Sequence, residues 1–446
     1  MEVERGVEKA GDRMLIRVPL DKVGQAGDLV QLMEKIYYLS DRITNVSRDE
    51  AALTIEYGGS DEEEVVRRLD ALCASLAGRR KLPYRKVKDN RGDGRTAGHA
   101  QAQTGASSSR QPDSERSEGS GGSDRTERTE HSESAKEAHV LLEQALVRLL
   151  RSRAHAYGAA LRRYPAMMPE SVLQKSGYIR NFPQNVYAVG EFRHQFDTMQ
   201  EIRARLEDNA PLHELLQPSG MYLQPCVCYH VYEERSGTRS GSPAGNGSGN
   251  GSGTAGAVSS GPQLALYSAY GPCFRHEHAS RMDDSRLREF GMFEIVYIGG
   301  AQDVRDMRQK LLEDTWRLFG QLGLEGYVET ASDPFFLPED TDRRLFQLAA
   351  ESKFELRFAP GGESASDYAV TSFNVCGDVL CKAFGITGEP AEYGDSGEAG
   401  ETGETGKGVS LHSGCTAFGV DRWVQALAET HGYEAGSWPQ LIREHL

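Results

Sequence analysis

From Asp89 to Ala135 the chain runs through Gly, Ser, Arg, Glu and Thr with almost no large apolar side chain. A segment of that composition buries too little surface to repay the entropy of ordering, so it is expected to be a disordered linker. That stretch divides the 446-residue chain into a small unit, residues 1–88, and a large one, residues 136–446. Two similar segments, 236–261 and 388–408, fall inside the large unit and are expected as flexible insertions. Closure cost rises only with the logarithm of loop length, so a folded domain tolerates them. The first separates "CVCYHVYEE" from "LALYSAY", two runs predicted here to pair as strands.

In the small unit "RMLIRV" and "AALTIEY" have strand character, while "DLVQLMEKIYYL" and "EEEVVRRLDALCASLA" repeat apolar positions at helical spacing. A small α/β domain is expected. The large unit opens with "AHVLLEQALVRLLRSRAHAYGAALRRY", which puts Leu142, Leu146, Leu149 and Leu150 on one side of a long helix. Strands and helices then intermingle without a regular βαβ period, which predicts an α+β architecture around a mainly antiparallel sheet. Neither GxxxxGK[ST] nor a well-placed GxGxxG occurs, so a nucleotide would be held by other means. The net charge of −15 argues against indiscriminate nucleic-acid binding. No apolar run approaches the roughly 20 residues that span a bilayer, and the start shows no export signal, which predicts a cytoplasmic chain with no membrane partner. Seven cysteines, an odd number, point to reduced thiols or metal ligands and not to a disulfide framework.

Two constellations carry chemistry. Between Gly271 and Gly300, "PCFRHE" and "RLREFGMFEIVYI" read as the strands of a hairpin around the loop "HASRMDDS". Period-two geometry puts Arg275 and Glu277 on one face, and Arg286, Arg288, Phe290, Met292 and Glu294 on one face of the return strand. Guanidinium groups read phosphate bidentately and an aromatic ring stacks on a purine, so this floor suits a nucleotide. Cross-strand ion pairs on a solvated face are the alternative. In the second, "HSGCTAFGVDRWVQALAETHG", Gly414 and Gly419 allow close backbone approach. A helix begins near Gly419 with Val420, Trp423, Val424 and Leu427 as its buried stripe. Arg422 then sits in the first turn, where a cation is unfavourable unless an anion is nearby. An exposed surface Arg is the other reading.

"CFRHE…RLREF" resembles motif 2 of class II aminoacyl-tRNA synthetases, and "GCTAFGVDRW" resembles their motif 3. "RYPAMMPESVLQKSGYIRNFPQN", "YLQPCVCYHVY", "CFRHE", "REFGMFEIVYIG", "ASDPFF", "KFEL", "SFN" and "GCTAFGVDRW" follow the order seen in amino acid:[carrier protein] ligases. Those enzymes are similar to the catalytic core of methanogenic-type, zinc-dependent seryl-tRNA synthetases. The resemblance covers roughly residues 138–440 and implies a class II synthetase-type antiparallel sheet flanked by helices. It implies formation of an aminoacyl-adenylate from ATP, with Mg2+, and transfer of a small amino acid to the phosphopantetheine thiol of a carrier protein. It also implies a homodimer. By the same resemblance Arg275 and Glu277 hold the α-phosphate and adenine, Arg286 is the second motif 2 arginine, Phe290 stacks on adenine and Arg422 meets the γ-phosphate. Glu355, Ser372 and Asn374 match positions lining the ATP and magnesium site.

The family's Cys-Glu-Cys zinc site is matched by Cys228, Glu294 and Cys415. Two thiolates and a carboxylate fill three positions of a tetrahedral zinc and leave the fourth for an amino group. Cys226, two residues before Cys228, lies on the same face if the segment is a strand; Cys228 is preferred because it directly precedes the Tyr of "CYHVY". The chain departs from the family where the ligases tend to carry "SFNYH" and a second His: Cys376 and Val379 stand there. Cys376 and Cys381 read as small apolar fillers. The alternatives to carrier charging are seryl-type tRNA aminoacylation, with the amino-terminal domain gripping RNA, and a non-catalytic nucleotide-binding paralogue.

Overall fold

The computed structural model describes residues 6–10, 13–20, 29–76, 82–91, 123–240, 263–278, 282–283, 285–333, 341–361, 367–388 and 409–446. Most of the linker and of the two expected insertions, residues 92–122, 241–262 and 389–408, lies outside the described residues.

The amino-terminal unit is a four-stranded antiparallel sheet of β1 (Gly6–Ala10), β2 (Arg13–Pro19), β3 (Ile43–Arg48) and β4 (Ala52–Tyr57), in the order β1-β2-β4-β3. Alternation in β4 turns Leu53, Ile55 and Tyr57 inward. Helices Leu29–Ile36 and Glu62–Leu76 cover that face with Leu32, Ile36, Val65 and Leu69. The unit therefore has its own core.

The next strand, β5 (Lys86–Asp89), belongs elsewhere: it pairs antiparallel with β13 (Gly326–Thr330) at the edge of the large sheet. The expected boundary puts residues 86–88 in the small unit and Asp89 in the linker, and the pairing corrects both. A helix begins at Ser123, inside the span read as linker, and runs to Ala156. The predicted helix through Arg163 stops short because Gly158, at φ +79, takes the left-handed position that glycine alone enters without strain. The Gly158 N–H donates to His155 O and the Ala159 N–H to Ala154 O, which closes the helix end and frees β6 (Ala160–Arg162) to join the sheet.

Three short strands, β7 (Met167–Pro169), β8 (Ala188–Phe192) and β9 (Leu216–Leu223), form a side sheet. The large sheet is completed by β11 (Ala265–Phe274), β12 (Glu289–Gly299), β14 (Lys353–Phe358), β15 (Tyr368–Gly377) and β18 (His412–Gly419). Small strands β10 (Arg239–Ser240), β16 (Thr387–Gly388) and β17 (Val409–Ser410) make a third sheet of the large unit. The order of the large sheet is β5-β13-β14-β15-β18-β12-β11-β6, antiparallel throughout except for the β11–β6 pair. This is the expected α+β arrangement.

Strand β12 shows why the sheet has a dry face and a working face. Phe293, Ile295 and Tyr297 point into a core built with helices Ser123–Ala156, Ala301–Gln321 and Val420–His431. Phe290, Met292 and Glu294 point the other way, as period two requires. Among the described residues no helix is long and apolar enough to cross a membrane.

Candidate active site

The hairpin is β11 and β12, in register from Ala265 opposite Ile298 to Phe274 opposite Glu289. Pairing ends sooner than the sequence suggested, so Arg275, Glu277, Arg286 and Arg288 lie in the connecting loop and not on strand faces. The run from Arg275 to Arg288 carries no apolar face to bury, and local bonds shape it instead: Arg275 N–H to Arg288 O, 2.9 Å, and Arg286 N–H to Asp283 O, 3.1 Å. Phe290 and Glu294 remain on β12, on the predicted common face.

The loop still gathers the expected charges. Arg275 donates from Nε to Pro225 O at 3.2 Å, and its Cζ lies 5.2 Å from the centroid of the Phe290 ring. Arg286 pairs with Glu277 at 3.4 Å. Arg422, in the first turn of the Val420–His431 helix, donates from Nε to Ser285 O at 2.6 Å and from an Nη to Ala369 O at 2.8 Å. Burial, and then the positive charges of Arg286 and Arg275, push the Arg422 guanidinium down to about 10. A guanidinium buried beside two others, so that its own charge is disfavoured, is a group whose charge a bound polyanion would restore.

Ser372, Asn374 and Glu355 line the adjoining strands. Glu355 stands opposite Ser372 and Glu329, and Asn374 opposite Cys415 and Lys353. Sequence reading missed the charges around Glu355. Lys353 Nζ lies 2.7 Å from Asp333 Oδ1 and 3.2 Å from Glu355 Oε1, and Arg357 reaches Glu355 at 3.5 Å and Glu329 at 3.7 Å. Burial opposes the charge on Lys353, but Asp333 and Glu355 outweigh it and hold the ammonium above its ordinary value. The alternation in "KFELRF" was the available signal, since it puts Lys353, Glu355 and Arg357 on one face.

Behind Arg275 lies a cluster of thiols. The segment "CYHVYEE" is a helix, Cys228–Glu234, and not the predicted strand: Cys228, Val231 and Tyr232 are buried at spacings of three and four. Cys226, Cys228 and Glu294 bring their ligand atoms within 4.8 Å of one another. Cys415 comes from β18, its thiol in hydrogen-bond contact with those of Cys228 and Cys376 and accepting from Asn374 Nδ2 at 3.5 Å. The structure thus brings Cys228, Glu294 and Cys415 to one place, with Cys226 and Cys376 beside them. Cys381, fully buried, serves as the expected apolar filler.

Glu294 is 1 % exposed; its Oε1 accepts the Val227 N–H at 3.1 Å, and its Oε2 is buried without a protein partner. Burial, with the nearby Cys415, pushes its carboxyl up to about 8. The thiols of Cys228 and Cys376 donate to Cys415 and pull it well below the ordinary thiol value. A carboxylate oxygen with no protein partner, turned toward thiols that hydrogen-bond to one another, suits a soft divalent cation such as zinc. These residues fit the metal that the family resemblance implies.

Of the two glycines expected to allow close approach, Gly414 does so: a Cβ there would meet the Tyr297 ring at 2.3 Å and Asn374 O at 2.4 Å. Gly419 has ordinary space, its nearest neighbours lying at 3.7 Å.

A mainly antiparallel sheet backed by long helices, with an arginine-bearing hairpin and an arginine in the first turn of the closing helix, defines a class II aminoacyl-tRNA synthetase catalytic fold. The seryl-tRNA synthetase of Methanopyrus kandleri, solved in complex with tRNASec of A. aeolicus, superposes with a TM-score of 0.57 over 97% of this chain and 77% of that one, at 19% identity. Within that class, the amino acid–[acyl-carrier-protein] ligase 1 of Bradyrhizobium diazoefficiens is 30% identical over 312 residues, 68% of this chain and 81% of that protein. The chain belongs to the amino acid–[acyl-carrier-protein] ligase family. The type-2 serine–tRNA ligase of Methanopyrus kandleri is 26% identical over 302 residues, covering 64% of this chain and 50% of that protein. No family model matches the chain. As a member of this family it is a ligase.

Proposed function

We propose that this ligase activates a small amino acid with ATP as the aminoacyl-adenylate and passes it to the phosphopantetheine thiol of a carrier protein. The observation that carries the reading is the position of Arg275, whose Cζ lies 5.2 Å from the Phe290 ring centroid and whose Nε donates at 3.2 Å to Pro225 O, next in sequence to Cys226. One guanidinium would therefore serve both the triphosphate and the amino acid in this reading.

The chain's own groups account for the first step. Phe290 and Glu277 take the adenine by stacking and hydrogen bonding, Arg422 and Arg286 hold the β- and γ-phosphates with Mg2+ near Glu355, Ser372 and Asn374, and Arg275 meets the α-phosphate. The substrate carboxylate attacks the α-phosphorus and pyrophosphate leaves. The charge that grows on the non-bridging oxygens falls beside Arg275, a cation already oriented before reaction. Cys228, Glu294 and Cys415 would hold zinc, which when bound supplies a Lewis-acidic position for the substrate's amino group. Val227 N–H and Asn374 orient those ligands. The carrier thiol then attacks the adenylate carbonyl, the thioester forms and AMP departs. Seven free thiols suit work in the cytoplasm, as a homodimer like other class II enzymes.

Amino acid-dependent ATP–pyrophosphate exchange tests this reading across a panel of glycine, alanine, serine and larger amino acids. Exchange with a small amino acid is expected; no exchange with any of them in metal-replete protein overturns it. Charging of tRNA is the second reading, favoured by a likeness of fold that extends to 97% of the chain and so into the amino-terminal unit. Transfer of labelled amino acid to a phosphopantetheinylated carrier, but not to tRNA, separates the two.

A further inference from the structure

The metal centre implied by the family needs three side chains, yet the chain brings a further thiol to the same place. We propose that Cys226 is a fourth protein ligand, so that the resting site is closed by Cys226, Cys228, Glu294 and Cys415. This rests on the reading of that centre as the amino-acid site.

Geometry carries the inference. Cys226, Cys228 and Glu294 form the group whose ligand atoms all lie within 4.8 Å of one another. Cys228 Sγ to Cys226 Sγ is 3.5 Å. A disulfide would need about 2.05 Å. Two thiolates about 2.3 Å from a zinc at the tetrahedral angle are about 3.8 Å apart, so the pair stands at ligand spacing. The residue between them fixes the third member, because the Val227 N–H donates to Glu294 Oε1 at 3.1 Å and leaves Oε2 as the unpartnered atom. Cys376 is the competitor. Cys376 and Cys415 both stand outside the 4.8 Å group, but Cys415 meets Cys228, a member of it, whereas the Cys376 thiol meets Cys415 and the Tyr232 hydroxyl.

Charge balance agrees. Three thiolates and a carboxylate around a divalent cation leave about two negative charges in a buried site, which is costly without a counter-charge. Arg275 supplies one: its guanidinium interacts with both Cys226 and Glu294, and its Nε is anchored on Pro225 O, next in sequence to Cys226. The four ligands also differ in footing. Glu294 and Cys415 lie within β12 and β18 and Cys228 opens a helix, whereas Cys226 lies in the irregular turn between β9 and that helix. A site closed this way admits an amine only when a ligand leaves or the coordination expands to five, and Cys226 is the ligand freest to yield.

Zinc-edge X-ray absorption on the unmodified, metal-replete full chain counts the sulfur ligands directly. Three are expected, and two would overturn the proposal. In cobalt-substituted protein, Cys226→Ser is expected to lose about one third of the thiolate-to-metal charge-transfer absorbance, one thiolate of three, while still binding cobalt, and Cys376→Ser none. The reverse pattern would overturn the assignment in favour of Cys376. Should Cys226→Ser fail to fold, the absorption count on Cys376→Ser decides: three sulfurs are expected there, and two would overturn the assignment. A two-sulfur site with intact pyrophosphate exchange would remove this inference alone, whereas a three-sulfur site without exchange would remove the proposed activity and leave the ligand set.

Discussion

The two ends of the β11–β12 hairpin hold their charges in opposite ways. At the loop end every arginine of the site has protein partners: Arg286 on Glu277, Arg275 on Pro225 O, Arg422 on Ser285 O and Ala369 O. At the other end Glu294 keeps a buried oxygen without a partner, and the thiols bond to one another. The arginine end is oriented before its ligand arrives, as electrostatic catalysis requires. The thiol end, with that oxygen unpartnered, fits a cation. Loss of charge should therefore cost chemistry at one end and metal binding at the other.

The largest effect is expected at the joint. Arg275→Ala should slow pyrophosphate exchange roughly a hundred- to thousandfold, the loss typical of one preorganised transition-state donor. Metal affinity should weaken only by the loss of one counter-charge beside Cys226 and Glu294, so that at saturating zinc the metal content should stay at the level of the parent protein. A variant that lost metal and exchange together would erase the distinction between the two ends. Glu294→Gln should do the converse. The amide keeps the bond from Val227 N–H but not the ligand charge, so zinc affinity should fall by at least the roughly 10–100-fold that loss of an outer-shell partner brings. Competition with a chromophoric chelator measures it, and unchanged affinity would remove Glu294 from the ligand set.

Gly414, one residue before Cys415, belongs to the thiol end. Its backbone passes so close to Tyr297 and Asn374 that Gly414→Ala should cost about 3 kcal/mol by overpacking, read from denaturant midpoints.

The next effect is a pH slope in metal-free protein. The Glu294 carboxyl sits at about 8 in the fold against 4.5 unperturbed. Between those values the unfolded chain releases a proton that the folded chain keeps. Stability from this group is thus complete below pH ~4.5, is lost as pH rises toward ~8 at up to about 1.4 kcal/mol per unit, and then levels off. Melts in chelator should show the decline, and Glu294→Gln or added zinc should flatten it.

How much of this was legible in the sequence follows from what local pattern encodes. Period two placed Phe290 and Glu294 on the working face, and the apolar stripe of Val420, Trp423, Val424 and Leu427 gave the closing helix. Spacing could not end the strands: Arg275 and Arg286 left the sheet because the polar loop had nothing to bury, a fact of tertiary environment. "CVCYHVYEE" read as a strand because its β-favouring residues outvoted a short helical period, which burial of Val231 and Tyr232 then decided. The ligand trio came from family resemblance, and the closeness of Cys226 and Cys376 to it depends on a helix end meeting a strand bulge at Val375–Gly377. No local signal records such a meeting.

The smallest effect tests the other glycine. Gly419 caps the Val420–His431 helix at φ −76 and ψ 96, a conformation open to any residue, and a Cβ there would come no nearer than 3.7 Å to Arg422 and Val370 O. Nothing in the protein demands glycine at that position. Gly419→Ala should therefore change stability by less than about 1 kcal/mol, the small difference between Gly and Ala at a helix cap. Should the fold be intact and the Michaelis constant for ATP rise, the missing Cβ is space kept for the nucleotide beside Arg422. A loss of stability as large as that of Gly414→Ala would show that the arginine end is as tightly packed as the thiol end, and the contrast between them would fail.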